Sequence, residues 1–149
     1  MNVKDFVASD FFRYTLKFLS AFCILYFSTS AIIAFTSPGG YYSDFVHNYL
    51  DYPTLLRASL LNASKILLSI FGYSSRVVGL YHLQLENGSS VQLVYSCLGY
   101  GLMSFWAAFV FANKGSAKKK IAWLLTGFLF LWMINVTRIA LLLAAIDKH

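Results

Sequence analysis

The strongest constraint on this chain is a short basic loop between two apolar runs. Lys114, Lys118, Lys119 and Lys120 stand within a few residues of one another, with no acid among them. Leu98 to Ala112 precedes the loop as an uninterrupted apolar run. Ile121 to Ile146 follows it and is broken only by Arg138. A chain that folded in water would need polar surface to cover two such runs, and it has little. The hydrophobic fraction is 58% and the charged fraction 12%, against roughly 45–50% and 25% in soluble domains. The runs therefore read as membrane helices, and the lysines set their direction. Short loops rich in Lys and Arg stay in the cytoplasm, so the first run descends into the cell and the second climbs back out.

A third span is expected upstream. Phe18 to Phe35 is apolar and follows Lys4, Arg13 and Lys17. It is longer than a signal-peptide core, and Ser37-Pro38-Gly39-Gly40 is a poor cleavage site. These residues place the N-terminus in the cytoplasm and the region 37–96 outside. The net charge of +6 then reports membrane orientation rather than nucleic-acid binding.

Two further elements are expected outside. Thr54 to Phe71 reads as an amphipathic helix, entered after Pro53 and stopped at Gly72. Thr54, Arg57, Asn62, Ser64, Lys65 and Ser69 form its polar side. Leu56, Leu60, Ala63, Ile66, Leu67, Ile70 and Phe71 form the apolar side that would meet the interface or the bundle. A β-hairpin follows. Tyr81, Leu83 and Leu85 alternate with His82 and Gln84, and Val91, Leu93 and Tyr95 alternate with Gln92 and Val94. A loop with Gly88 left-handed pairs Leu83 with Val91 and sets His82 opposite Gln92. The expected fold is thus an all-α membrane protein in a single domain, 1–149. It has transmembrane helices over about 18–36, 97–113 and 121–146, an amphipathic interfacial helix over 54–71 and a small extracytoplasmic β-hairpin over 79–95.

Arg138 is the clearest functional candidate. An arginine within a membrane helix needs a partner and marks a functional site by default; the bland alternative is snorkelling to the interface. Cys97 stands at the mirror position about the lysine loop. At about 1.5 Å per residue, both groups rise roughly 25 Å above the cytoplasmic edge. Helices joined by a short loop are neighbours, so thiol and guanidinium are expected to share one depth near the outer boundary. A helix N-terminus and a nearby cation both favour a thiolate at Cys97, whereas the bland reading is an inert buried thiol. Cys23, inside an apolar run, reads as filler. Gly99 leaves room for close backbone approach. Asn135 lies one turn below Arg138 on the same face, suited to hold Arg138 or a substrate carbonyl, or to act as polar glue between helices. His82, on the hairpin's polar face, is a candidate general base, though a surface histidine is the plainer reading. The sequence contains no metal-ligand cluster and no cofactor motif.

Ser96-Cys97-Leu98-Gly99-Tyr100-Gly101 before an apolar helix, with Asn135-Val136-Thr137-Arg138-Ile139 beyond a basic loop, resembles the two motifs of the exosortase/archaeosortase family. Ser104-Phe105-Trp106-Ala107-Ala108-Phe109 with Ala112-Asn113 is similar to its Bacteroidetes-type branch. The resemblance spans about residues 54–149. It implies a membrane-embedded cysteine transpeptidase of the bacterial inner membrane. Such an enzyme works at the extracytoplasmic face on membrane-anchored proteins that carry a C-terminal sorting signal. It implies Cys97 as nucleophile and Arg138 as catalytic partner. It also implies a third residue, commonly His, beyond the arginine helix. His149 is the candidate here, yet a continued helix would carry it about 16 Å past Arg138. Either the helix breaks, or the family's last segment lies beyond this sequence. The rival reading is a non-enzymatic membrane assembly or export subunit, with Arg138 as interhelical glue and Cys97 inert.

Overall fold

The apolar runs all become helix, with bounds set by local chemistry. A computed structural model of the chain describes residues 10–36 and 51–147. Helix α1, Asp10–Thr36, starts earlier than expected, so Arg13 and Lys17 ride within it. Phe11, Ile24 and Phe27 point outward, while Thr29 and Thr36 are buried. Each threonine hydroxyl donates to a carbonyl one turn back, Leu25 and Ile32, at 2.9 Å. That local bond satisfies a hydroxyl within the helix itself.

Helix α2, Tyr52–Ile70, begins where the Asp51 carboxylate accepts the Thr54 N–H at 3.2 Å. Pro53 fits the first turn, where no N–H is needed. Gly72, at φ +84°, ends it, and the Tyr73 N–H returns to the Leu68 carbonyl at 3.0 Å. The expected sides of this helix hold only in part: Asn62, Lys65 and Ser69 face out and Leu60 faces in as expected, but Arg57 and Ser64 do not face out. Arg57, Leu60, Leu61, Ser64 and Leu68 are buried, whereas Leu55, Ile66, Ile70 and Phe71 are exposed. The amphipathic expectation assumed that polar groups face out. Here the buried Ser64 joins α2 to a neighbouring helix rather than facing out.

Three short strands follow: β1 Ser75–Val78, β2 His82–Leu85 and β3 Ser90–Gln92, antiparallel in the order β1-β2-β3. The β2–β3 register is the one read from alternation, with Leu83 opposite Val91 and His82 opposite Gln92. Gly88 has φ +98°. The hairpin is nevertheless part of a three-stranded sheet, because β1 adds to it with Val77 opposite Leu83 and Val78 opposite His82. Leu83, Leu85, Val91 and Leu93 are buried, so one face of the sheet forms core.

The expected helix over 97–113 is shorter. A 3-10 turn, Tyr95–Leu98, ends at Gly99 in the left-handed region, and helix α3 runs only from Tyr100 to Ala112. Its 13 residues rise about 20 Å, short of a hydrocarbon core of about 30 Å. Helix α4, Ala117–Asp147, is the longest. Two helices, α1 and α4, are long and apolar enough to cross a membrane; α3 is apolar but shorter.

The expected single domain is built from two compact units, Met1–Ala31 with Tyr100–Leu129, and Ile32–Gly99 with Phe130–His149. In the first, Phe105 sits edge-on to Phe18 at 5.2 Å and Tyr100 stacks on Tyr26 at 5.4 Å. The Trp106 indole N–H donates to the Trp123 carbonyl at 3.1 Å. In the second, Ser64 Oγ donates to the Val136 carbonyl at 3.3 Å, and Trp132 donates to Ser59 Oγ at 3.1 Å. These bonds hold α2 against the C-terminal half of α4. Leu60, Leu83, Leu98 and Leu143 are each 0% exposed, and full burial of such a side chain contributes about 1.5–3 kcal/mol.

Candidate functional site around Cys97

Val94 is extended and the chain then tightens into the 3-10 turn that carries Cys97. The Cys97 N–H donates to the Val94 carbonyl at 2.9 Å. Gly99, at φ +74°, turns the chain into α3. The thiol is reduced and half-buried. Cys97 is therefore not the first residue of the following helix, as its motif had suggested: Leu98 and Gly99 separate it from Tyr100, and its own N–H is already bonded. The turn, rather than a helix terminus, fixes the thiol.

Asn135 of α4 locks that turn. It is 5% exposed, and its amide donates to the Leu98 carbonyl at 3.4 Å. The same amide occupies the space over Gly99, where an added Cβ would collide with it. Asn135 and Gly99, expected to receive substrate, are thus in contact with each other. A glycine is needed here twice over, for its positive φ and for the approach of Asn135.

Arg138 does not share Asn135's face. Asn135, Val136, Ile139, Ala140 and Leu143 form the buried side of this part of α4, whereas Arg138 is exposed. With Met133, Ile134, Leu141 and neighbouring residues it lines an open apolar hollow of ≈ 750 Å³. Among the described residues no hydrogen bond or ion pair joins Arg138 to Cys97. The residue count gave its distance along the helix, but its rotation about the axis turns it away from the packed side. His82 opens β2 opposite Gln92 and is half-buried; no hydrogen bond joins it to Cys97 among the described residues. His149 lies outside the described residues. Among the described residues no group of His, Cys, Asp and Glu could hold a metal ion.

The residue that sequence reasoning misplaced is Arg57. It was assigned to a solvated face, yet it is 1% exposed. Its guanidinium carbon lies 4.3 Å from the Tyr81 ring centroid and 4.0 Å from that of Tyr95. Tyr95 opens the turn that holds Cys97, and α2 packs against that turn. The signal available was the spacing: Pro53, Arg57, Leu60, Leu61, Ser64 and Leu68 follow one helical stripe. Comparison of the chain with family models, curated proteins and solved structures gives no match.

Proposed function

We propose that the chain is a membrane-embedded cysteine transpeptidase or protease of the exosortase type, acting at the extracytoplasmic face of the inner membrane with its N-terminus in the cytoplasm. The observation that carries this reading is the Cys97 turn: a half-buried thiol on a 3-10 turn, bonded by Asn135 and ended by Gly99. A nucleophile works best on such a fixed support. In the proposed reaction the Cys97 thiolate attacks a peptide carbonyl of a membrane-anchored substrate. The amine leaves with a proton, and water or a second amine resolves the thioester. Arg138, exposed on an apolar helix face, meets the substrate or the oxyanion once the substrate is bound. His82 and His149 are the candidate proton carriers.

The test is processing of a membrane-anchored reporter bearing a C-terminal sorting signal, at matched expression. Cys97→Ser is expected to abolish cleavage, because a hydroxyl is a far weaker acid than a thiol. Arg138→Ala is expected to remove on the order of 3 kcal/mol of transition-state stabilisation. Arg138→Lys rescues poorly, since a point charge does not reproduce a planar fork, and Cys23→Ser cleaves normally. Full cleavage by Cys97→Ser ends the peptidase reading. One observation favours the second reading, a non-enzymatic assembly or export subunit: the exposed Arg138 lies among apolar residues, Met133, Ile134 and Leu141, a surface suited to a partner helix. Selective alkylation of Cys97 over Cys23 at neutral pH separates the two, because only the enzyme requires a reactive thiolate.

A further inference from the structure

The second unit buries a cation without giving its donors an acceptor. Arg57 is 1% exposed, and its Nε, Nη1 and Nη2 atoms have no hydrogen-bond partner among the described residues. Among the described residues no carboxylate forms an ion pair with it. A buried charge left unpaired is among the more destabilising arrangements a fold can contain, and an apolar residue of similar volume would serve the core better. Packing alone therefore does not account for an arginine here. The rings of Tyr81 and Tyr95, at 4.3 and 4.0 Å, stabilise the positive charge through their π faces. They leave the N–H groups, which lie in the guanidinium plane, without acceptors. The group that fits such an edge is planar and offers two oxygens, so that paired N–H bonds form side by side.

We infer that Arg57, Tyr81 and Tyr95 form a receptor for a carboxylate beside the Cys97 turn. The two tyrosines lie at the ends of elements rather than at strand centres. Tyr81 ends the β1–β2 turn after Gly79, at φ +63°, and Tyr95 begins the 3-10 turn. The Tyr81 carbonyl accepts the Leu93 N–H at 2.6 Å and the Tyr81 ring is half-buried, so a carboxylate reaching Arg57 has to displace that ring. Resting on the peptidase reading, the receptor takes an acidic side chain of the substrate peptide and sets which bond reaches Cys97. A small free carboxylate shares the chemistry.

The experiment uses the full chain in detergent micelles. The probes are an acetylated, amidated alanyl-aspartyl-alanine peptide, its asparagine counterpart, acetate, and inorganic phosphate at matched ionic strength. Binding is read by thermal shift and by the near-UV signal of the flanking tyrosines. The aspartyl peptide should raise Tm and perturb the tyrosines in the native chain and in Cys97→Ser, and the asparaginyl peptide should do neither. Arg57→Met should abolish binding, and Arg57→Lys should weaken it at least about tenfold. Acetate should compete, more weakly than the peptide. Equal shifts from the two peptides, or binding that survives Arg57→Met, overturn the receptor. If Arg57→Met does not accumulate, unchanged affinity in Arg57→Lys overturns it instead. Phosphate displacing the peptide at equal or lower concentration overturns the planar-carboxylate assignment. Acetate binding as tightly as the peptide overturns the substrate subsite. Arg57-dependent binding in a chain that cleaves nothing leaves the receptor standing while the peptidase reading fails.

Discussion

Gly99→Ala tests whether the Cys97 turn is held as described. Two separate penalties follow from the structure. Gly99 has φ +74°, and an L-residue placed in the left-handed region loses roughly 1–2 kcal/mol. The new methyl would also collide with the Asn135 side chain. Asn135 must then withdraw, and its bond to the Leu98 carbonyl at 3.4 Å is worth about 0.5–1.5 kcal/mol. The total is on the order of 2–3 kcal/mol. The two parts separate in a double-mutant cycle, because Asn135→Ala removes the obstruction and leaves the backbone strain. Gly99→Ala should therefore cost about 1 kcal/mol less when Asn135 is already alanine. The assay is reversible denaturation of the detergent-solubilised protein for all four members of the cycle, with the alkylation rate of Cys97 measured beside it. The rate should rise in Gly99→Ala as the turn loosens. Additive effects would show that Asn135 and Gly99 do not touch, and a stability for Gly99→Ala equal to the native chain would refute both penalties.

Three further outcomes are expected. A reporter fused after Lys118 should be cytoplasmic and one inserted at Gly88 extracytoplasmic, as the lysine loop requires; both on one side would defeat the proposed topology. Leu143→Ala, at a side chain 0% exposed, should lower unfolding stability by about 2–5 kcal/mol, measured by denaturation in detergent. Asp51→Ala should remove the cap on the Thr54 N–H and cost about 0.5–2 kcal/mol by the same measurement, whereas Asp51→Asn, which keeps the acceptor oxygen, should cost less.

What the sequence revealed depended on which geometric variable each residue reports. The β2–β3 register was legible because a one-residue slip would set Leu83 and Val91 against polar neighbours. Strand β1 was not. Ser75–Val78 offers only Val77 and Val78 in a short stretch, and the alternation that identifies a strand needs greater length. Helices α1 and α4 were legible from composition, but their first turns were not, since Arg13, Lys118, Lys119 and Lys120 look like flanks and are helical.

The two arginines show the same limit at the site itself. Counting residues places a group along a helix axis to within a turn, and on that variable Cys97 and Arg138 seemed matched. Whether they meet depends on rotation, which advances about 100° per residue. Rotation is fixed by the face that packs, and apolar residues surround Asn135 and Arg138 on every side of the C-terminal half of α4. Only the inward turn of Asn135, Val136 and Ile139 reveals that Arg138 faces away. For α2 the rotation is legible only in part: Asn62, Lys65 and Ser69 face out and Leu60 faces in, as the amphipathic pattern predicts, whereas Arg57 and Ser64 are buried. Arg57 meets the rings of Tyr81 and Tyr95, and Ser64 bonds the Val136 carbonyl. Neither contact is visible in the helical period alone. The arginine paired with aromatic rings at the thiol's own turn is then Arg57, and the arginine on the exposed side of α4 is Arg138.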